Sequence, residues 1–125
     1  MSSPSGRPNT YPYQNQPIWS RSEKVIARTV FDAALKRELQ DVMQEAKRMA
    51  NQIKEPDDMW ELERHLTERR KDIDRRYDFR SSRLTVVLGM LLYECRISEE
   101  ELHGLREDKL NAIRSCAKIF SEDAA

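Results

Sequence analysis

The sequence predicts an all-α protein: a long antiparallel helical hairpin with a small C-terminal helical head, dimerising through the hairpin. Charged residues make up 35% of the 125-residue chain and hydrophobic residues 38%, a mixture typical of extended helices with one apolar stripe. The chain has only three glycines and shows no alternating strand pattern. Its length fits a single domain.

The first predicted helix begins at about residue 20. Ser20 and Glu23 form the S-x-x-E pattern of a capping box, in which the serine accepts from the third helical amide and the glutamate accepts from the cap amide. Pro56 ends the helix, because proline lacks an N–H and disfavours helical geometry in the residue before it. Apolar residues recur at intervals of three and four, a heptad seam; they are Leu35, Leu39, Val42, Ala46, Met49 and Ile53.

The second predicted helix runs from about Pro56 to Phe79, on the order of 35 Å at 1.5 Å per residue. A hairpin of two such helices buries too little area to be stable alone, and pairing with a second copy would correct this. The stripe of this helix comprises Met59, Leu62, Leu66, Ile73 and Tyr77, with Arg69 or Arg70 in its one gap. The predicted dimer interface comprises Leu39, Val42, Ala46, Met49, Ile53, Leu62, Leu66 and Ile73.

The charges along the second helix are segregated. Residues 55–63 contain five acids and no base, whereas residues 64–80 contain seven Lys or Arg residues against four acids. An antiparallel pairing of two such helices around a two-fold axis would set the acidic end against the basic end. The alternative is that both segments are solvated faces with pairs of mixed sign along the helix.

Residues 81–120 predict a compact helical head beside the hairpin. The segment from Leu84 to Cys95 is apolar almost all round, as expected for a short helix buried at the centre of a small bundle. Ser98 and Glu101 then repeat the capping-box pattern.

Gly104 is a natural helix stop, and a last helix is expected from about Glu107. At the other end of the chain, residues 1–18 are rich in Pro, Ser and Asn and lack an apolar period, which predicts a disordered tail. The alternative for this segment is a docking motif that uses Tyr11 and Tyr13. The other predicted regions are the hairpin and dimerisation region (19–80), the head (81–120) and a C-terminal tail (121–125).

Catalytic or metal-binding chemistry is not expected. His65 and His103 lie on different elements, and Cys95 and Cys116, both at apolar-periodic positions, have no metal-ligand spacing. No Gly-rich phosphate loop, HExxH motif or nucleophile elbow occurs. Without groups that converge in a pocket, the sequence predicts no enzyme, no cofactor and no metal.

Nucleic acid and membrane are not expected partners. The net charge is zero, and the basic run RRKDIDRR is interrupted by Asp72 and Asp74, although phosphate binding needs uncancelled positive charge. No segment reaches the ~18 apolar residues of a membrane span, and no apolar secretory segment stands at the N-terminus. A cytoplasmic protein without membrane insertion is the expectation.

A set of short motifs occurs in fixed order from Trp19 to Arg114. The motifs are W-S-x-x-E (Trp19, Ser20, Glu23), F-x-x-A-x-x-R-E-L (Phe31, Ala34, Arg37, Glu38, Leu39), D-D-x-W (Asp57, Asp58, Trp60), R-x-x-I-D (Arg70, Ile73, Asp74), Y-D (Tyr77, Asp78), E-L-x-x-L (Glu101, Leu102, Leu105) and K-x-N-x-I-R (Lys109, Asn111, Ile113, Arg114). As an ordered set they resemble the fluorescence recovery proteins of cyanobacteria. The resemblance implies a non-enzymatic helical dimer that binds the photoactivated orange carotenoid protein, accelerates its return to the resting form and ends phycobilisome quenching. It also implies an association with the phycobilisome or thylakoid through that partner.

In that family the Trp and Arg of the second helix are important for partner binding and for the dimer, and they fall on Trp60 and Arg70 here. The alternative for Trp60 is a local role, as a staple of the hairpin turn against Ile53. Many members continue W-x-L-H-D where this chain has Glu63 and Arg64, which inverts a charge on the expected partner-facing rim. The predicted partner-binding residues are Trp60, Arg70, Met59, Glu63, Arg64 and Val86. The alternative function is a dimeric helical adaptor with an unknown protein partner.

Overall fold

The computed structural model describes residues 18–124, and its regular elements are all helical, so the predicted all-α class is confirmed. The predicted N-terminal tail, with Tyr11 and Tyr13, lies outside the described residues except for Ile18. The helices are α1 (Arg21–Asn51), α2 (Pro56–Arg76), α3 (Leu84–Tyr93), a short 3₁₀ helix (Glu99–Leu102) and α4 (Glu107–Ala124).

Local sequence signals fix the ends of α1 and the start of α2. The Ser20 side chain accepts from the Glu23 N–H at 3.2 Å, and the Glu23 carboxylate accepts from the Ser20 N–H at 3.0 Å. The predicted capping box is therefore confirmed. Pro56 begins α2, where its missing N–H costs no helical hydrogen bond. The Asp58 carboxylate accepts from the Glu55 N–H at 3.0 Å, which closes the turn between the helices.

α2 ends at Arg76, three residues before the predicted end at Phe79. Tyr77 leaves the helical region, with ψ at 72°. The Phe31 ring of α1 makes T-shaped contacts with two aromatic rings that follow α2, with centroids 5.2 Å away for Tyr77 and 5.3 Å away for Phe79. These contacts favour the earlier helix end, because they partly bury two large apolar rings against the core.

The apolar core lies in the head, and it includes the first half of α1. The core spans the predicted division at residue 80, because the amphipathic face of α1 covers α3 together with residues of the 81–120 segment. The last predicted boundary also moves: residues 121–124 continue α4 rather than forming a tail. The core comprises Trp19, Ala27, Val30, Phe31, Ala34, Leu84, Val87, Leu88, Leu91, Ile97, Leu102, Leu105 and Ile113.

α3 is the central helix of the head, as predicted, and it crosses α4 closely at Gly89. A Cβ atom placed on Gly89 would lie 2.5 Å from the Cβ of Cys116, so a glycine is required for the two backbones to approach. α3 ends in a left-handed residue, Cys95, with φ at 62°. The Cys95 N–H donates to the carbonyl of Leu92 and the Arg96 N–H to that of Leu91, a Schellman motif. Cys95 is exposed, so the expectation of an apolar helical position is wrong.

The chain then turns twice before α4. Ser98 caps the 3₁₀ helix, where its N–H donates to the Glu101 carboxylate at 2.9 Å, which confirms the second capping box. Gly104 ends this turn with φ at 103°, in the left-handed region that glycine adopts readily. None of the helices between residues 18 and 124 combines the length and apolar character that crossing a membrane requires.

Candidate protein-binding face of the helical hairpin

The second half of α1 and α2 form the antiparallel hairpin, and ion pairs cross the seam between them. His65 Nε2 lies 2.7 Å from Glu45 Oε1, and Arg69 Nε lies 3.3 Å from the same oxygen. Ile73 is the buried residue of α2. Because little apolar surface is removed from water between these helices, the hairpin depends on further contacts for its stability.

The gap in the stripe of α2 is filled by Arg69. Its side chain is only 20% exposed and its Nη1 donates to Glu38 Oε2 at 3.2 Å. Arg70 is exposed, because adjacent residues on a helix point about 100° apart. The ambiguity between the two arginines is thus resolved: Arg69 belongs to the intrachain seam, and Arg70 is free to contact another molecule.

Glu38 is the centre of a buried polar cluster. Its carboxylate is 0% exposed and accepts from Arg76 Nη1 at 2.7 Å and from the Tyr77 hydroxyl at 2.9 Å. Arg96 Nε lies 3.3 Å from Glu38 Oε1. Burial raises the pKa of Glu38, but the hydrogen bonds from Arg76 and Tyr77 and the nearby positive charges outweigh it and lower the pKa below its usual value. Burial and the acceptor Glu38 raise the pKa of Tyr77.

A second buried ion pair joins the two ends of the head. Lys109 Nζ lies 3.2 Å from Glu23 Oε1, with both side chains almost fully buried, and 5.7 Å from the centroid of the Trp19 ring. The Arg106 N–H donates to Glu23 at 3.0 Å. Burial raises the pKa of Glu23, but hydrogen bonds from Ser20, Arg106 and Lys109 outweigh it and lower the pKa to about 2.

Sequence reasoning missed both clusters as structural features. The one available signal for Glu38 was its position: it follows Phe31 and Ala34 at intervals of three and four, in line with a stripe that is otherwise apolar. A charged residue in such a stripe is either exposed or paired. Glu23 was assigned only its capping role, because the residues it meets on α4 are more than eighty positions away.

The hairpin carries an exposed apolar face, which we call the hairpin face. Trp60 is 56% exposed, so its ring is not anchored in the core of the chain. In the alternative role, a staple against the half-buried Ile53, Trp60 could use only the part of its surface that is buried, which is less than half. Large apolar side chains left exposed in this way mark binding surfaces. The hairpin face comprises Leu39, Met43, Met59, Trp60 and Leu66.

Two shallow grooves meet at Arg70. One groove runs along α2, and the other lies between α1 and α2. Arg70 lines both, with Leu66 beside it, so an aliphatic surface lies next to an exposed guanidinium. Such pairing of apolar contact with a forked donor is typical of protein-binding sites. The groove on α2 is lined by Met59, Leu62, Glu63, Leu66, Thr67, Arg70 and Lys71.

The predicted dimer residues differ in exposure. Leu39 and Leu66 lie on the hairpin face, but Ile73 is already buried within the chain and offers no free surface. Ile73 lies on the side of α2 that faces α1, near Leu35 and Val42. The residues that remain half-buried in the single chain are Val42, Ala46, Met49, Ile53 and Leu62.

The predicted partner-binding residues fall in two places. Val86 is half-buried on α3 in the head, apart in sequence from the others. The exposed members on α2 are Met59, Trp60, Glu63, Arg64 and Arg70. Residues 18–124 contain no group of three His, Cys, Asp or Glu side chains arranged to hold a metal ion. The exposed Met, Trp and Arg side chains of α2 are residue types enriched at protein-binding surfaces.

Comparison with known proteins agrees with this architecture. The family model described as "Photoprotection regulator fluorescence recovery protein" matches residues 19–117. The chain is 36% identical to the fluorescence recovery protein of Synechocystis sp. PCC 6803 over 101 residues, covering 81% of this chain and 93% of that protein.

Solved structures of fluorescence recovery proteins share the fold. The Fremyella diplosiphon structure matches with a TM-score of 0.75 at 35% identity, covering 81% of this chain and 99% of that one. The Synechocystis structure matches with a TM-score of 0.76 at 36% identity and the same coverage. This chain belongs to the fluorescence recovery protein family of photoprotection regulators.

Proposed function

We propose that this protein is a non-enzymatic regulator that binds the photoactivated orange carotenoid protein and accelerates its return to the resting form, ending phycobilisome quenching. The observations that carry this proposal are two exposed residues of α2: Trp60 near its start, and Arg70 further along, which lines a groove with Met59 and Leu66. Tryptophan and arginine are over-represented among residues that dominate binding energy. Family membership supplies the class of process, and the face supplies a surface on which a protein partner can act.

The proposed mechanism is differential affinity. A regulator that binds one conformer of its partner more tightly shifts the population or lowers the barrier toward relaxation, without making or breaking bonds. This requires a preformed contact surface rather than a pocket with shifted acids and bases. The residues we assign to contact with the partner are Trp60, Arg70, Met59, Glu63, Arg64 and Val86.

We propose that the working form is a homodimer, paired through the hairpin. Leu39, Met43 and Leu66 are exposed in the single chain, and a second copy would remove them from water. The acidic start and basic end of α2 favour an antiparallel arrangement of the two copies. The half-buried Val42, Ala46, Met49, Ile53 and Leu62 would gain further contacts at the same seam.

The rim beside Trp60 sets partner choice in this proposal. Glu63 and Arg64 are both exposed, and exposed rim charges act mainly on association rate and discrimination. A carotenoid protein with a complementary acidic site opposite Arg64 is the expected partner. The site of action would be the cytoplasm, at the phycobilisome on the thylakoid surface, reached through the partner.

The test is the dark recovery of an illuminated orange carotenoid protein, followed by its absorbance, with and without this protein. Acceleration at substoichiometric dimer is expected. Trp60→Ala should remove most of the acceleration, and Lys118→Ala, an exposed residue on α4, is the matched control that should not.

The contrary result is specific. Absence of acceleration, together with failure of the two proteins to co-elute, would refute the regulator and favour the alternative, a dimeric helical adaptor whose partner must be sought by pull-down. That alternative rests on the same exposed hairpin face. Arg64→Asp tests the rim separately: where acceleration is seen, this substitution should weaken it if Arg64 faces the expected acidic site of the carotenoid protein, and should leave it unchanged if Arg64 does not.

A further inference from the structure

Glu38 lies where α1 passes from the head into the hairpin. Four residues before it, Ala34 is part of the head core, and seven residues after it, Glu45 pairs with α2 in the hairpin seam. The Glu38 carboxylate is fully buried at this junction. It is therefore placed to contact both parts of the molecule at once.

Each oxygen of Glu38 meets more than one partner. Oε2 accepts from Arg69 Nη1 at 3.2 Å and Arg76 Nη1 at 2.7 Å, both on α2. Oε1 accepts from the Tyr77 hydroxyl at 2.9 Å and lies 3.3 Å from Arg96 Nε, which follows α3. One carboxylate of α1 thus contacts α2, the residue after it and the turn after α3, which are far apart in the sequence.

Arg96 carries the connection into the head and back to α1. Its Nη1 donates to Asp41 at 2.8 Å, and its backbone carbonyl accepts from Arg37 Nη1 at 2.5 Å. Arg37 forms a two-pronged pair with the Glu101 carboxylate at 3.0 and 2.8 Å. The forked geometry of guanidinium groups makes such contacts directional, so each fixes an orientation.

A buried ionised carboxylate is tolerated only in an arrangement that supplies its hydrogen bonds and charge partners. Rotating α2 about its axis would remove Arg69 from Glu38, and tilting the head would remove Arg96. Intermediate arrangements leave a buried charge without partners, so a single arrangement is favoured over a range of angles. Apolar contacts at the same junction would not favour a single arrangement in this way, because they are not directional.

We propose that Glu38 is a positioning residue, which fixes both the rotation of α2 that turns Arg70 and Trp60 outward and the angle between hairpin and head. Glu38 fixes the rotation of α2 through Arg69. It fixes the angle between hairpin and head through Arg76, Tyr77 and Arg96. The consequence for the partner rests on the proposed function: a protein that contacts α2 and the head together meets them at a set separation. The geometric claim itself needs no partner.

The test measures the distance between spin labels on Glu68→Cys in α2 and Lys118→Cys in α4, both exposed positions, by double electron–electron resonance. Cys95 and Cys116 are first replaced by Ser and Ala, and the labelled chain is diluted with unlabelled cysteine-free chain to remove distances between copies. The otherwise unchanged chain should give one narrow distance. Glu38→Gln should broaden it at least twofold or split it, with the helical circular dichroism retained.

Asp41→Asn is the matched control, an acid-to-amide change one turn along α1 at an exposed partner of Arg96, and it should leave the distance narrow. If Glu38→Gln does not fold, Tyr77→Phe and Arg69→Met each remove one of the contacts to Glu38 and should broaden the distance less. Folded variants with an unchanged distribution would overturn the inference. Should the unsubstituted chain fail to accelerate carotenoid-protein recovery, the proposed function falls, while these distances still decide the role of Glu38.

Discussion

The head and the hairpin of this protein are built by different physics. The head surrounds α3 with buried aliphatic and aromatic side chains from α1, the 3₁₀ helix and α4. The hairpin, in contrast, buries Ile73 and has ion pairs such as Glu45 with Arg69 across its seam. Several of its large apolar residues, among them Trp60 and Leu66, are exposed.

The difference indicates a division of labour. Apolar burial dominates folding energy, so the head supplies the stability of the chain. Partly exposed ion pairs such as Arg69 with Glu45 add less, so the hairpin has less stability of its own. Its exposed apolar surface is available to a second copy or a partner, and in our proposal the region that interacts is therefore separate from the region that supplies stability.

The largest expected effect compares matched leucines. Leu88→Ala, in the fully buried core of the head, should lower the free energy of unfolding by about 2–5 kcal/mol, from lost transfer energy and a residual cavity. Leu66→Ala on the hairpin face, where the side chain is 38% exposed, should cost less and chiefly weaken self-association. Equilibrium urea unfolding with sedimentation velocity measures both. Equal losses of unfolding free energy for the two variants would contradict the view that the head, and not the hairpin, supplies most of the stability.

The next effect concerns the buried ion pair of the head. Burial raises the pKa of Glu23, but its hydrogen bonds lower it from 4.5 to about 2. The stability it contributes is present above pH 4.5 and is lost as the pH falls toward 2, an order of about 3 kcal/mol.

Glu23→Gln should therefore flatten the acid limb of the unfolding free energy between about pH 4.5 and 2, measured by urea titration at each pH. The exposed Glu100→Gln is the control and should follow the unsubstituted chain. An acid limb that keeps its slope in Glu23→Gln would place the pH-dependent stability elsewhere.

The next prediction concerns Trp60 on the hairpin face, where a substitution should affect folding less than the core substitutions do but should weaken association. Trp60→Ala should leave helicity nearly intact, because the ring is mostly exposed, and should weaken association by about 2 kcal/mol or more. Circular dichroism and sedimentation of the chain, alone and with the carotenoid protein, measure the two quantities. Loss of helical signal would instead assign Trp60 to the hairpin turn.

The smallest effect is at the end of α3. Cys95 is held in the left-handed region with φ at 62°, where a Cβ atom costs on the order of 1 kcal/mol. Cys95→Gly should raise the free energy of unfolding by up to about that amount, read from the thermal midpoint. Cys95→Ala keeps the Cβ and should give no gain. If Cys95→Ala raised the free energy of unfolding as much as Cys95→Gly, the gain would come from removal of the thiol and not from relief of the backbone.

The sequence by itself determined the elements of this protein. Helix starts depend on contacts within four residues, so Ser20 with Glu23, Pro56, and Ser98 with Glu101 could be identified without any tertiary information. The all-α class and the buried α3 followed from composition and periodicity in the same way. The ordered motifs gave the family because they run through most of the chain.

Only the tertiary structure decided which charges are buried and which apolar residues are left exposed. Periodicity could not choose between Arg69 and Arg70, because the choice depends on Glu38, some thirty residues away on another helix. Nor could it tell that the first half of α1 belongs to the head, or that Ile73 is already covered. An apolar stripe predicts that one face of a helix is buried, but which other segment covers that face is decided only when the chain folds.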